Sequence, residues 1–313
     1  MKHFPFKKDG TFRICQFTDL HIHHVDRHEE GEQTFTLVKN ALRDTSPDLA
    51  VITGDIAWGA EPEKSISGLS EIFDSAGILW APVLGNHDGE YFTESLGVSN
   101  AEGRRMFGQL LIAPKGSLFE VGPEGVDGNG NYVITVGGTE SEPKWALFML
   151  DSHRGGFDLS QNLWYRETTK KLGEKHAELA FFHIPIPEYS EVWDYTACKG
   201  FCLESICETE MNDGMFAAMQ EGGKMRGIFV GHDHINDFEG SLRGVRLCYG
   251  RGSGYQTYGQ EGFERGARII DIGEDTSGFK SYIYLESGKI YEQVFRRRPK
   301  LSRKHPRGDE VTK

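Results

Sequence analysis

The sequence predicts an α/β fold, one domain with two sheets packed face to face, and three observations lead to it. Short apolar, β-branched runs recur through the first 230 residues, and each stops at a polar cluster. Stretches with helical apolar spacing separate some of these runs, and strand, helix, strand in succession builds an α/β sheet. After residue 246 the text changes to alternating or apolar runs joined by Gly turns, which predicts an antiparallel portion.

The elements follow in order. Phe12 to Phe17 is a strand ending at Thr18-Asp19, and Gln33 to Asp44 is a helix with Phe35, Leu37, Val38, Ala41 and Leu42 at helical spacing. Leu49 to Ile52 runs into Thr53-Gly54-Asp55, a helix covers Ile66 to Ala76, and Ile78 to Leu84 runs into Gly85-Asn86-His87-Asp88. Trp145 to Leu150 stops at Asp151, Leu179 to Phe182 at His183, and Ile228 to Val230 at Gly231-His232, with a helix over Asp213 to Glu221 before the last. Strands are then expected at Arg246 to Tyr249, Ala267 to Ile272, Tyr282 to Glu286 and Ile290 to Phe295, the last two forming a hairpin over about 280–296 on Glu286-Ser287-Gly288-Lys289. With no linker, repeat or low-complexity segment in 313 residues, a single domain over 1–298 is expected, followed by a basic, flexible tail at 299–313.

Composition narrows the partners. The chain is 38% hydrophobic and 26% charged with a net charge of −12, and eight of its Lys/Arg against two Asp/Glu lie in residues 296–313. The first 295 residues therefore carry 27 basic against 45 acidic groups, a net −18 that repels nucleic acid and acidic membranes. Arg296-Arg297-Arg298 reads as a solvated run, with a phosphate-binding arm as the other reading. Five cysteines suit a reducing compartment, and Cys198, Cys202 and Cys207 match no zinc-knuckle spacing. No apolar run approaches the ~18 residues of a membrane helix, so a soluble, cytoplasmic protein is expected.

The polar clusters at the strand ends hold the chemistry: Asp19 and His21, Asp55, Asn86 and His87, His183, and His232 and His234. Six of these are carboxylates or imidazoles read as metal ligands, Asn86 adds an amide oxygen, and His87 is left over. Mixed nitrogen and oxygen donors without thiolate suit Mn, Fe or Zn. So many groups exceed one four-coordinate ion, which points to two divalent or trivalent ions sharing a bridging carboxylate and clamping a phosphoester. Other candidates keep two readings each. His23 and His24 face substrate or solvent; His153 and Arg154 contact phosphate or form a surface pair. Gly250 to Tyr255, with Tyr258 beyond, is a pocket wall or a free loop and is not a P-loop. Trp164 is expected in the core.

Asp19-Leu20-His21, Gly54-Asp55, Gly85-Asn86-His87-Asp88, His183 and Gly231-His232-Asp233-His234 resemble, in order, the D-x-H, G-D, G-N-H-[DE], H and G-H-x-H blocks of the calcineurin-like metallophosphoesterases. His232 to Asp237, Leu247 to Gly250 and Gly266-Ala267-Arg268 further resemble the small purple-acid-phosphatase-like proteins of plants and fungi, and the likeness spans 10 to about 272. The resemblance implies a four-layer α-β-β-α sandwich of two mixed sheets with the metal site at the strand C-terminal ends. It implies a first metal on Asp19, His21, Asp55 and His234, a second on Asp55, Asn86, His183 and His232, and an activated water attacking phosphorus. His87 would bind phosphate or protonate the leaving oxygen, and Asp88 would orient its ring. The chain departs from the purple enzymes in carrying Trp58 where their G-D-x-x-Y block has a ligating tyrosine, and His21 where they have glycine. No purple colour is then expected.

The leading expectation is a hydrolase of a small phosphomonoester or phosphodiester. A nuclease using the basic tail and a non-catalytic metal-binding scaffold are the alternatives, and oligomeric state stays open. Loops such as Glu188 to Glu210 and Gly250 to Gln260 are expected to set specificity.

Overall fold

Burial on both faces explains the first strands. In the computed structural model, which describes residues 1–25 and 28–297, β1 (Lys2–Phe4) is a short edge strand, and β2 (Thr11–Phe17), β3 (Leu49–Thr53) and β4 (Trp80–Val83) run parallel side by side. All five residues of β3 are buried, which gives the unbroken apolar text of a strand covered on both sides. The crossovers are α1 (His28–Thr45) and α2 (Pro62–Ala76). The inward stripe of α1 is Thr34, Leu37, Val38, Ala41, Leu42 and Thr45, at three- and four-residue spacing. Pro62 opens α2, and Gly77 closes it in the left-handed region with its amide on the Asp74 and Phe73 carbonyls.

The chain continues through α3 (Glu90–Leu96), α4 (Asn100–Ile112), β5 (Tyr132–Gly138), β6 (Pro143–Met149), α5 (Leu159–Lys171), β7 (Ala177–Phe181), α6 (Glu188–Tyr195), β8 (Cys198–Lys199), α7 (Met215–Glu221) and β9 (Met225–Val230). It ends with β10 (Glu239–Leu242), β11 (Val245–Tyr249), β12 (Gly266–Gly273), β13 (Lys280–Leu285), β14 (Ile290–Tyr291) and β15 (Phe295–Arg297). Two mixed sheets result, of order β14-β13-β12-β2-β3-β4 and β1-β5-β6-β7-β9-β11-β10-β8-β15. Strand alternation separates two cores. Along β6, Trp145, Leu147 and Met149 face the shared core between the sheets, whereas Ala146 and Phe148 face the layer of α5 and α7. With α1 and α2 outside the six-stranded sheet, this is the expected α-β-β-α sandwich.

Several elements differ from the sequence reading. The expected strand at 290–295 divides: β14 completes the hairpin with β13, and the chain then crosses so that β15 pairs with β8 in the other sheet. The crossing is fixed by buried Gln293, which accepts from Arg268 and donates to the Asp237 carbonyl. β11 is antiparallel to β10 but parallel to β9, so the antiparallel portion is joined to the parallel one within one sheet. Trp164 is half-buried against Phe148 rather than inside the core. Arg298 and the expected tail at 299–313 lie outside the described residues. No described helix is long and apolar enough to cross a membrane.

Arg268 joins the sheets. Fully buried on β12, it donates to the Tyr249 and Asp237 carbonyls, Glu239, Ser281 and Gln293. Removing one partner of a buried ion pair leaves the other charge uncompensated, so Arg268→Ala is expected to cost about 3–5 kcal/mol in urea denaturation. A loss under about 1 kcal/mol, the range of an exposed pair, would sink that reading.

Candidate metal centre

The C-terminal ends of β2, β3, β4, β7 and β9 meet along one edge of the two sheets, and each delivers part of a polar cluster. Asp19 and His21 follow β2, Asp55 follows β3, Asn86 and His87 follow β4, His183 follows β7, and His232 and His234 follow β9. Asp19, His21, Asp55 and His232 have φ values of 53°, 44°, 50° and 77°, in the left-handed region that side-chain-bearing residues avoid. Such strain, on the order of 1–2 kcal/mol per residue, is held by the surrounding bonds. The His21 amide donates to the Asp55 carbonyl at 2.9 Å, and the His232 amide donates to both Asp19 oxygens at 3.1 Å. Glycine permits the close approach of the turns: a Cβ on Gly54 would overlap the His183 ring, and one on Gly85 the Asp55 carboxylate.

Two donor sets form. In the first, ligating atoms of Asp19, His21, Asp55 and His234 lie within 4.8 Å of one another, all buried; in the second, those of Asp55, His183 and His232 do the same. Asp55 belongs to both: its Oδ2 lies 3.4 Å from His21 Nε2 and 3.3 Å from His183 Nε2. Asn86 joins the second set with Oδ1 3.0 Å from His183 Nε2. The structure thus brings together all seven side chains singled out as ligands. Among the described residues, neither set includes a cysteine.

The protonation pattern fits a cation. His183 Nδ1 lies 2.8 Å from the Thr53 carbonyl, which can only accept, so Nδ1 carries hydrogen and the neutral ring has a bare Nε2. That nitrogen faces Asp55 Oδ2, Asn86 Oδ1 and, at 3.2 Å, His232 Nδ1, and the two oxygens beside it favour positive charge between them. Without an ion a proton takes that place: burial opposes the charge, yet the bonded Asp55 carboxylate outweighs it and lifts His183 to about 9. Burial first, then neighbouring histidines, pushes His232 down to about 3 and His234 to about 2, while burial against a weaker pull from Asp55 holds His21 near 4. These three rings are neutral at pH 7, the form that ligates metals. Burial opposes ionisation of Asp55, but adjacent His183 keeps it well below the usual carboxylate range; Asp19 is lifted by burial to about 7. His234 is also oriented from behind, with Thr257 Oγ1 2.9 Å from Nδ1 and the Tyr258 ring stacked at 4.1 Å.

His87 stands beside both sets and belongs to neither. Its amide donates to Asp55 Oδ1 at 2.9 Å, and its half-buried ring lies 5.3 Å from that of His21. The expected orienting role of Asp88 is corrected by the geometry. The Asp88 carboxylate is buried and accepts from the Gly85, Ile56 and Ala57 amides, stitching the turn after β4 to the turn after β3. The ring is held instead by Glu90, whose Oε2 lies 2.7 Å from Nδ1. The i,i+3 spacing at the start of α3 was the available signal. Burial lowers the His87 pKa, but Asp55 and then Glu90 more than offset it, and the net shift is upward.

One further residue, Arg104, escaped sequence reasoning because it is distant in the chain from the turn it supports. Arg104 of α4 donates to the Gly85 carbonyl and to Asp151, both at 2.5 Å, so Asp151 is a buried strut for the Asn86-His87 turn. Arg154 is exposed, and its positive charge is among the weaker influences that lower His232. His153 instead lies 3.4 Å from Asp127, His24 is exposed, and His23 is half-buried against Trp58. A separate cavity of about 920 Å³, lined by Phe35, Leu42 and Ile72 between α1 and α2, contains none of these groups.

Residues 12–236 match the family model described as calcineurin-like phosphoesterase. Among curated proteins, the chain is 30% identical over 312 residues to "Probable inactive purple acid phosphatase 29" of Arabidopsis thaliana, covering 85% of this chain and 78% of that protein. It is 31% identical over 316 residues to "Probable inactive purple acid phosphatase 28" of the same plant, covering 87% and 78%. It is 27% identical over 317 residues to "Phosphatase DCR2" of Saccharomyces cerevisiae, covering 84% of this chain and 52% of that one. Among solved structures, a dimetal phosphatase from Danio rerio aligns with a TM-score of 0.54 at 13% identity, covering 86% of this chain and 98% of that one, a likeness of fold.

Proposed function

The chain belongs to the calcineurin-like phosphoesterase family, and from that premise we propose that it hydrolyses a small phosphoester at a two-metal centre. One observation carries the reading: the Asp55 carboxylate is common to two otherwise separate donor sets. Asp19, His21, Asp55 and His234 would hold one ion, and Asp55, Asn86, His183 and His232 the other. When bound, two cations supply Lewis acidity, activating a water and offsetting phosphate charge. Mn, Fe or Zn suits these donors.

The protein's own groups do the rest. His87 Nδ1 is committed to Glu90, so Nε2 is the atom free to hand a proton to the leaving oxygen. The carboxylates Asp55 and Glu90 favour the protonated ring. Arg154, exposed and with its charge acting on His232, would meet a phosphate oxygen. Asp88 and the Arg104–Asp151 pair keep the two turns in register.

A second reading, a metal-binding scaffold without turnover, draws on the word "inactive" in the names of the two plant relatives. The intact donor set, with His21 present and Trp58 in the tyrosine position, argues for chemistry unlike that of the purple enzymes. Loading the purified chain with Mn, Fe or Zn and assaying 4-nitrophenyl phosphate and bis(4-nitrophenyl) phosphate separates the two. Turnover that chelation abolishes supports the enzyme; metal binding with no turnover of either ester supports the scaffold.

A further inference from the structure

Trp58 is an unusual residue to leave on a surface. Its indole is 45% exposed, yet it stands at the mouth of the metal centre, 5.6 Å from the His87 ring and 6.1 Å from that of His21. It is also held. The Trp58 amide donates to the Ile22 carbonyl at 3.2 Å, and the His23 ring buttresses the indole edge-on at 6.4 Å. Gly59, with φ +85°, follows so closely on His23 that a Cβ there would overlap that imidazole. A large apolar ring fixed in the open makes a ready contact surface, because little side-chain entropy remains to be lost when a ligand covers it.

Its place determines what would cover it. If His87 Nε2 protonates the leaving oxygen, the first atoms of the leaving group stand next to His87, and the adjoining surface is the indole. The neighbouring Glu90 carboxylate disfavours an anionic group in that position. Tyr258, 52% exposed, is a second exposed aromatic ring against a donor-set histidine, stacked on His234 and tied to Glu204 at 2.7 Å. We propose that Trp58 is a stacking platform for the leaving group, and that the substrate class is a phosphoester of an uncharged aromatic alcohol or phenol. The proposal rests on the phosphoesterase reading and deepens it by naming the group beyond the phosphate.

Benzyl phosphate and cyclohexylmethyl phosphate form a matched pair, similar in size and in leaving-group basicity but only one of them flat. Aromatic pairs contribute beyond their area, so kcat/KM is expected to favour the benzyl ester by about 2- to 10-fold. Trp58→Phe should keep most of that ratio and Trp58→Leu should bring it to about 1. The same pair as phosphonates, benzylphosphonate and cyclohexylmethylphosphonate, is measured by calorimetry on the metal-loaded protein, which reads the preference without turnover. A binding preference that Trp58→Leu removes supports the platform even if no ester is hydrolysed, in which case only the phosphoesterase reading fails. Equal Kd values for the two phosphonates in the wild type, or a loss in Trp58→Leu that is the same for both, overturns the platform whether or not esters are hydrolysed.

Discussion

Asp55→Asn is expected to empty both metal positions and to lower kcat by about 10³-fold or more. The substitution keeps the side-chain volume and removes one charge, so the fold should persist. What it removes is the oxygen that lies 3.4 Å from His21 and 3.3 Å from His183, and so faces both donor sets. A bound cation stabilises transition-state charge by several kcal/mol, and each ~1.36 kcal/mol is a factor of ten in rate. Elemental analysis and kcat on the same preparation check it, and a variant holding two ions at near wild-type turnover would contradict it. His232→Ala and His234→Ala should behave differently from Asp55→Asn and from each other. Each belongs to one set, so each should empty one position preferentially, with His234→Ala releasing the ion on Asp19 and His21.

His87→Ala is expected to lower kcat by about 10²- to 10⁴-fold, the range for a general acid, with metal content unchanged. The ring lies in neither donor set, so the two readouts separate. Glu90→Gln tests the partner that replaced Asp88 in this role. Asp55 and Glu90 raise the His87 pKa over the opposing effect of burial, and removing the Glu90 charge should lower it. A general acid works only while protonated, so activity lost on the alkaline side should be lost at lower pH in Glu90→Gln. Asp88→Asn should instead act on stability, because Asp88 touches backbone amides and not the ring. An unchanged alkaline limb in Glu90→Gln would return the orienting role to some other group.

The sequence reading succeeded where one residue type signals its own environment. β3 is buried on both faces and reads as an unbroken apolar run; the candidate ligands sit where such runs stop, because the turn after a strand aims its side chains at the sheet edge. It failed where the buried face is polar. α5 turns Gln161, Asn162 and Tyr165 inward and leaves Leu159 and Leu163 in solvent, so its apolar pattern points the wrong way. Gln161 is there to bond Asn131 and the Asp151 carbonyl. It failed again where adjacency in the chain misleads. Asp88 follows His87 directly and points away, whereas Glu90 returns to it across the turn before α3, which the Glu90 amide closes on the His87 carbonyl at 3.1 Å. Arg104 with Asp151, and Arg268 with Gln293, join elements far apart in the chain, and no local pattern announces them. Trp58 was legible as a non-ligand in a ligand's position, but its exposure and its buttress came only with the fold.

Counting metal ions per chain while following phosphoester turnover on one preparation decides whether Asp55 joins two ions. Two ions per chain are expected, with activity lost in step with their removal by a chelator and regained when they are restored. One ion per chain at full activity, or turnover that survives complete removal of metal, would contradict the two-metal centre.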